Sequence, residues 1–581
     1  MPLLNYFSRA VLSSFATVAT ALSCVQANPL PIVDLGYAVH QSTYYNSTGK
    51  FYAFDNIRFA EPPTGARRFL KPVPVTTVNR TINNGAQISP ICPQGTPLWF
   101  GTSFTFAGGA SVESLPPVPS SITAGNLSSI PPPVPGTSED CLFLDVKVPK
   151  TIFDAPRNQR GGHFIAPVLV WLYGGGYTAG DKQGGGAFNP AGSFNPAGLI
   201  ASSLENNGQG IIYVALNYRL GLYGFLAGST FSASGTPNAA FYDQRLALQW
   251  IQLNIAKFGG DPTRVTLIGE SAGGGSILHQ ITAFGGFGGK SPFQQGILQS
   301  AGFFPIPSNQ QQEDAFQKTL QYATLIAGRP ILNVDALRSL TDEQLYQVNA
   351  AVVGTSPYTL FTYGPAVDGV FVPRLPGELL AAGHFDKSIN VMVGHNPNEG
   401  FLFASPFVQD NDAFKSYIKT MVPTISTTQL DYITTTLYPP IFNGSYPYTT
   451  QIDRTALFVS EFVFTCHTRF LGLAYKGKSW SYYFDIPPGF HASDIPYTFF
   501  TGDTSTGTNA TVAKTLQAYI TSFTSTRSPN RADVPFFPAY GANGSTQVIG
   551  TSGLGTQLPD PVGFGPAAER CAYWQSSTYY S

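Results

Sequence analysis

The stretch "VTLIGESAGGGS", residues 265 to 276, runs a short apolar strand pattern into four glycines and two serines. At its centre Gly269-Glu270-Ser271-Ala272-Gly273 has the form G-x-S-x-G, which occurs once in the chain. A strand that turns sharply into a helix brings the residues two before and two after the serine together, so only small residues fit there. Such a turn predicts a strained backbone at Ser271, at about 1 to 3 kcal/mol, with the hydroxyl projecting above the sheet. Ala272, at the start of the helix, aims its N–H where an oxyanion would form. In a chain with 60 glycines the bare pattern can arise by chance. Its place between a strand and a helix argues against that.

Other apolar runs rich in β-branched residues extend the picture. "APVLVWLY" (166 to 173), "GIIYVALNY" (210 to 218), "RVTLIG" (264 to 269) and "NVMVG" (390 to 394) read as strands covered on both faces. Between them "YDQRLALQWIQLNIAKFGG" (242 to 260) predicts a helix with Leu246, Trp250, Ile251 and Ile255 on one face, ended by a glycine pair. The expected fold class is α/β: a large, mostly parallel central sheet flanked by helices, with right-handed crossovers. Residues 102 to 138, rich in Pro, Gly and Ser and without helical or strand period, predict a long loop. No repeat and no clean boundary divides the chain.

A serine hydroxyl is a poor nucleophile unless a base and an orienting acid accompany it. Among seven histidines, His491 lies in a Pro-Gly loop after the aromatic strand pattern of 479 to 485. Glu399 lies in the loop after 390 to 394, which gives the order serine, acid, histidine, each beyond a strand. His395 shares a short loop with Glu399, and two members there could hardly approach opposite sides of one imidazole. His467 beside Cys466 reads as local packing. Asp494 and Asp368 stay open as alternative acids, although Asp494 is close in sequence to His491 and Asp368 precedes the favoured loop. "VWLYGGGYTAG" ends a strand in Gly174-Gly175-Gly176, where main-chain N–H groups can meet an oxyanion. No Cys/His cluster has metal-ligand spacing, and the chemistry needs no cofactor.

The 32 basic and 33 acidic residues leave a net charge of -1, which gives no field for nucleic acid. Charged residues are 11% of the chain against about a quarter in ordinary globular proteins, and Gly, Pro, Ser, Thr, Asn and Gln carry the polar surface. At the N-terminus Arg9 precedes "AVLSSFATVATAL", and "VQA" at 25 to 27 offers a cleavage site, so residues 1–27 read as a signal peptide. That apolar stretch is shorter than the roughly 20 residues a span needs, so stable membrane insertion is not expected. Secretion removes Cys24 and leaves four cysteines in an oxidising compartment. Sequence proximity favours Cys92 with Cys141 and Cys466 with Cys571 among the three possible pairings. Asn46, Asn79, Asn126, Asn443, Asn509 and Asn543 head Asn-x-Ser/Thr sites and are expected glycan acceptors.

Taken together, "EDCLFLDV" (139 to 146), "VWLYGGGY" (170 to 177), "NYRLGLYGFL" (217 to 226), "DQRLALQWIQLNIAKFGGDPTRVTLIGESAGG" (243 to 274), "NEGFLF" (398 to 403) and "FHASDIPY" (490 to 497) resemble the type-B carboxylesterase/lipase family. That family holds the cholinesterases and the secreted fungal lipases of the Candida rugosa type. The resemblance covers nearly all of residues 28–581 and implies one α/β-hydrolase domain with insertions. Carried over by position, it implies Ser271 as nucleophile, Glu399 as acid, His491 as base, and Gly175, Gly176 and Ala272 as oxyanion donors. It also matches the two disulfides favoured above. Two departures stand out. Many members have a disulfide soon after the nucleophile, and no cysteine lies there. The stretch 93–140, a lid or gorge wall in relatives, is Pro-rich here rather than an amphipathic helix.

The sequence thus leads to a secreted serine ester hydrolase acting through an acyl-enzyme on an apolar small-molecule or lipid ester, with at most transient contact with a lipid interface. Two alternatives from other classes are an acyltransferase or transesterase on a secondary metabolite, and a catalytically silent adhesion protein of cholinesterase type. The second requires loss of a triad member, and this chain keeps all three.

Overall fold

A computed structural model of the chain describes residues 29–155, 166–184, 193–205, 208–505, 507–551 and 553–580. The expected signal peptide, 1–27, lies outside them, as do His163, Gly185 and Gly186.

The chain opens with β1 (Ile32–Asp34), β2 (Ala38–Gln41), β3 (Tyr44–Asn46), β4 (Phe51–Arg58) and β5 (Asn79–Asn83). Next come β6 (Phe143–Pro149), β7 (Ala166–Leu172), β8 (Ile212–Leu216), β9 (Gly260–Glu270) and β10 (Gln295–Gln299). β11 (Asn390–His395), β12 (Ser479–Asp485), β13 (Ser545–Gly550) and β14 (Gln557–Pro559) follow. Eleven of them build one sheet in the order β14-β13-β12-β11-β10-β9-β7-β8-β6-β4-β3, while β1, β2 and β5 form a small separate one. From β8 through β7, β9, β10, β11 and β12 to β13 every neighbour is parallel. The edges at β6, β4, β3 and β14 are antiparallel.

The strands read from apolar runs are buried on both faces because helices cover both sides of the sheet: every residue of β7 and β8 is buried, as are β9 from Val265 on and β11 from Val391 on. Helix Ala272–Thr282 is buried along its whole length. Helix Ala239–Asn254 buries Trp250 and Ile251, with Ile255 just beyond its end, and the chain reverses at Gly259 with φ 90°. Leu246, expected on the same face, is only half-buried, and Ala247 and Leu248 carry the contact instead.

The expectation of an unstructured loop over 102 to 138 needs correction. Residues Trp99–Ala107 form a helix, followed by two short 3-10 turns at Val112–Ser114 and Ala124–Ser129. Gly101, Thr102, Ser103 and Thr105 are weak helix formers, and packing supplies what propensity does not. Trp99 is fully buried, its indole N–H donates to Leu360 O at 2.9 Å, and its ring stacks on Tyr358 with centroids 5.1 Å apart. The segment is closed at its base by the Cys92–Cys141 disulfide, and Cys466–Cys571 ties helix Cys466–Ala474 to helix Gly565–Ser576. No helix among the described residues is long and apolar enough to cross a membrane.

Parallel strands point their carboxyl ends the same way. The segments after β7, β9, β10, β11 and β12 therefore gather on one rim, and Gly175, Gly176, Ser271, Ala272, Glu399 and His491 lie on them.

Candidate active site

β9 delivers Glu270, and Ser271 then turns the chain with φ 57° and ψ -123° into helix Ala272–Thr282. Its N–H donates to Gln299 O at 3.0 Å, and its carbonyl accepts from Gly275 N at 2.8 Å and Gly302 N at 3.0 Å. Three such bonds hold a backbone conformation that an L-residue rarely adopts. The glycines explain how the turn closes. A Cβ on Gly269 would stand 2.6 Å from the carbonyl carbon of Gly273, so the two residues flanking Ser271 at i-2 and i+2 do meet. Gly274 and Gly275 have the same work one turn on. Side chains there would stand 2.9 Å from Gln299 O and 2.3 Å from Gly302 O, so the helix lies directly against the chain leaving β10.

Two further loops meet this turn. Beyond β11, Glu399 is fully buried, and its Oε1 accepts from Asn396 N (2.6 Å), Ser300 Oγ (2.6 Å) and Asn396 Nδ2 (3.2 Å). Beyond β12, His491 places Nδ1 2.5 Å from Glu399 Oε2 and Nε2 3.2 Å from Glu270 Oε1. Phe464 and Phe403 flank the imidazole at 4.3 and 5.2 Å between centroids. Ser271 and His491 line one cavity of about 320 Å³, together with Gly175, Gly176 and Ala272.

The glycine loop after β7 presses on the serine turn. A Cβ on Gly174 would stand 2.9 Å from Ser271 Cβ, and one on Gly176 would enter the Phe361 ring. Gly175 and Gly176 have φ 116° and 62°, and the bonds that close their turn run from Thr178 N and Ala179 N to Gly175 O. That pattern does not draw on the N–H groups of Gly175 and Gly176. Ala272 N–H lies in the first turn of its helix, where donors have no intrahelical partner.

Three carboxyls share this buried region, and their surroundings separate them. Burial alone would raise Glu399; His491 and the donors of Asn396 and Ser300 outweigh it and hold the group below the usual carboxylate range. Glu270 has no such donors, Oε1 being without a hydrogen bond, and burial pushes it up to about 8. Asp494 rises to about 6, chiefly through burial, although Tyr482 Oη and Gln299 Nε2 donate to its Oδ2. Burial would lower His491, but its carboxyl neighbours, Glu270 at Nε2 and Glu399 at Nδ1, raise it. Of the two carboxyls in contact with the imidazole, Glu399 is therefore the one held as a carboxylate at neutral pH.

The competing candidates go elsewhere. Asp494 sits under Tyr482 and Gln299, and Asp368 accepts from Asn238 Nδ2 and the N–H groups of Val370 and Val372. His395 is buried beside Asn396 and Tyr483, and its Nε2 lies 3.9 Å from Asp560. His467 donates to Ala301 O and stacks on Phe303. Sequence reasoning missed Glu270 as a neighbour of His491, and it missed Ser300 and Asn396 as the donors that orient Glu399. Glu270 was visible as the residue before Ser271, but nothing in the sequence says which way the turn swings it.

Of the glycan acceptors, Asn79, Asn443, Asn509 and Asn543 are exposed and Asn46 is half-buried. The side chain of Asn126 lies outside the described atoms.

The strand order, and a serine turn set after β9 on the carboxyl rim of the parallel strands, define the class: an α/β-hydrolase. A crystal structure of EstA from Aspergillus niger has the same fold, with a TM-score of 0.75 over 95% of this chain and 98% of that one at 24% identity. The chain belongs to the carboxylesterase family, whose signature matches residues 36–574. It is 38% identical to "Carboxylesterase patB" of Penicillium expansum over 564 residues, 95% of this chain and 96% of the relative. It is 31% identical to "Secreted lipase 1" of Botryotinia fuckeliana over 513 residues, 82% and 81% of the two chains. The protein is accordingly a carboxylic ester hydrolase.

Proposed function

We propose that residues 28–581 form a secreted serine carboxylesterase in one domain, working through an acyl-enzyme on esters that are apolar around the scissile bond. Ser271 attacks the ester carbonyl while His491 Nε2 takes its proton, and Glu399 holds the imidazole by Nδ1 and balances the charge it acquires. The N–H groups of Gly175, Gly176 and Ala272 receive the tetrahedral oxyanion, worth about 3 to 4 kcal/mol for each well-placed donor. The alcohol leaves with the proton from His491, and water repeats the sequence on the acyl group.

The observation that carries this reading is the 2.5 Å contact of His491 with Glu399 at the cavity that Ser271 lines. Phe100 and Phe104 of helix Trp99–Ala107, with Phe403 and Phe464, make that cavity apolar and favour hydrocarbon or aryl groups next to the carbonyl. Secretion is supported by the leader-like residues 1–27, the two disulfides and the secreted relative. A transferase would use the same acyl-enzyme, and water in the extracellular medium favours hydrolysis.

The test is hydrolysis of p-nitrophenyl butyrate by wild-type protein and Ser271→Ala, with intact-mass detection of an organophosphonate adduct. Wild-type turnover and an adduct on Ser271, both absent from the variant, are expected. Turnover that survives in Ser271→Ala would sink the mechanism.

A further inference from the structure

Away from Ser271 the cavity changes character. Helix Asn309–Ala327 lays Gln311, Asp314, Ala315 and Lys318 along its wall, positions that share one helix face. Lys318 is the only lysine or arginine among the described residues that line it. The same side chain, with Pro357, also borders a second cavity of about 570 Å³ beneath Pro117–Ser120 and Phe407. Lys318 therefore stands in the partition between the chamber that holds the serine and a neighbouring one.

One donor of its ammonium is accounted for. Nζ gives a hydrogen bond to Thr355 O at 2.9 Å, the carbonyl that follows helix Asp342–Gly354. A lysine at a helix carboxyl end is an ordinary device, and it explains how the side chain is anchored. It leaves two of the three ammonium donors over. Among the described residues no carboxylate lies within 4 Å of Nζ. Asp314, one turn earlier on the same face, would be the natural i,i+4 partner; it is exposed instead, and its Oδ1 accepts from Gln310 Nε2 at 2.7 Å. Burial lowers the lysine to about 8, which still leaves it charged at neutral pH.

We propose that Lys318 binds a carboxylate on the part of the ester remote from the scissile bond, so that the preferred substrate is apolar beside Ser271 and anionic at its far end. This rests on the serine esterase reading above and narrows it. A half-ester of a dicarboxylic acid, or an ester of a hydroxy acid, has this form. Its carboxylate would take the two spare donors as charge-assisted hydrogen bonds. A wholly hydrocarbon chain in the same place would strip water from the ammonium and return nothing. A triacylglycerol is for that reason a poor match to this wall.

Two series of esters test it. One is p-nitrophenyl monoesters of linear dicarboxylic acids from glutaric to sebacic, each paired with its methyl-terminated match. The other is butanoyl esters of ω-hydroxy acids, paired with those of the corresponding n-alkanols. In one series at least, the wild-type ratio of kcat/KM, carboxylated over methyl-terminated, is expected to reach about tenfold at one length, the worth of one hydrogen bond to a charge. Lys318→Met and Lys318→Gln should both lower that ratio about tenfold, and Lys318→Arg should restore most of it. Should the methionine variant fail to fold, the glutamine variant carries the same comparison. A ratio unchanged by both substitutions in both series overturns the proposal. Failure of the wild-type protein to cleave even the methyl-terminated esters would overturn the esterase reading instead.

Discussion

A Cβ on Gly273 would stand 2.0 Å from the carbonyl oxygen of Leu172, so the first turn of helix Ala272–Thr282 rests on the end of β7 with no room for a methyl group. β7 also carries the glycine loop, so this contact sets the distance between Ser271 and the N–H groups of Gly175 and Gly176. Gly273→Ala should cost on the order of 1 to 3 kcal/mol in urea unfolding and abolish most turnover of p-nitrophenyl butyrate, because backbone must move. Gly101→Ala is the contrast: nothing lies within 4 Å of its added Cβ, the site is inside a helix, and a gain of about 0.5 to 1 kcal/mol is expected. Equal stability in both variants would refute the close approach.

The second expectation concerns the charge beside His491. Glu399→Gln removes the carboxylate that helps raise the imidazole, so the limb of kcat/KM that rises as His491 loses its proton should move to lower pH. The rate on the plateau should fall about 10² to 10⁴-fold, since a neutral amide neither balances the imidazolium nor fixes its tautomer. Rate profiles from pH 5 to 9 for both proteins check it. A limb that stays in place would argue against the pairing.

The serine turn, its two partners and the parallel sheet were legible because each leaves a local mark: small residues around Ser271, a Pro-Gly loop before His491, Glu399 after an apolar strand. What supports them was not. Ser300 reaches Glu399 from 99 residues away, and only the register of β10 against β11 makes them neighbours. Helix Trp99–Ala107 escaped notice for the opposite reason, since its local preferences disfavour a helix and Trp99 buries itself between Tyr358 and Phe361, which no local pattern reveals. Lys318 is one lysine on an ordinary helix until the cavity beside it is seen.

Glu270 gives a third expectation, in stability. Its folded pKa, about 8, lies above the ordinary carboxyl value, so between roughly pH 4.5 and 8 the unfolded chain has released a proton that the folded one keeps. Stability therefore declines through that window, by on the order of 1 kcal/mol per pH unit from this group. Glu270→Gln removes the decline. Relative to wild type, the variant should gain stability steadily from pH 5 to pH 8 in denaturant unfolding. A difference that is flat with pH would show that the carboxyl ionises normally.

The fourth concerns the segment above the cavity. The Cys92–Cys141 bond closes a loop with a sequence separation of 49 residues, which chain entropy values at about 4 kcal/mol. Replacing both cysteines by serine should lower the thermal midpoint. It should also make the stretch from Gly109 to Gly136 the first site of proteolytic nicking, while p-nitrophenyl acetate turnover persists in protein held at low temperature. Resistance to nicking equal to that of wild type would mean that the packing of Trp99, and not the disulfide, holds the segment.

Asn509 combines two roles that can be separated. Its Oδ1 accepts from Thr511 N (3.0 Å) and Val512 N (3.2 Å) and so caps helix Ala510–Thr526, while its amide nitrogen heads a glycan site. Asn509→Gln should cost about 1 kcal/mol from the lost cap even in protein made without glycans. Thr511→Ala removes the acceptor site and keeps the cap, so in a glycosylating host it should lose one glycan by mass with little change in unfolding. If both variants unfold alike without glycans, the cap contributes nothing.

Gln299 and Ser300, at the end of β10, tie together the three segments that meet at the site. Gln299 takes the N–H of Ser271 on its carbonyl, and its amide donates to Tyr482, Asp494 and Thr498 around the His491 loop. Ser300 is anchored by its N–H to Gly394 O and donates its hydroxyl to Glu399. Ser271, Glu399 and the His491 loop therefore share one fastening that lies off the cavity wall. The walls of the cavity are free to diverge between relatives, and with them the choice of ester, while this fastening keeps Ser271, Glu399 and His491 in register.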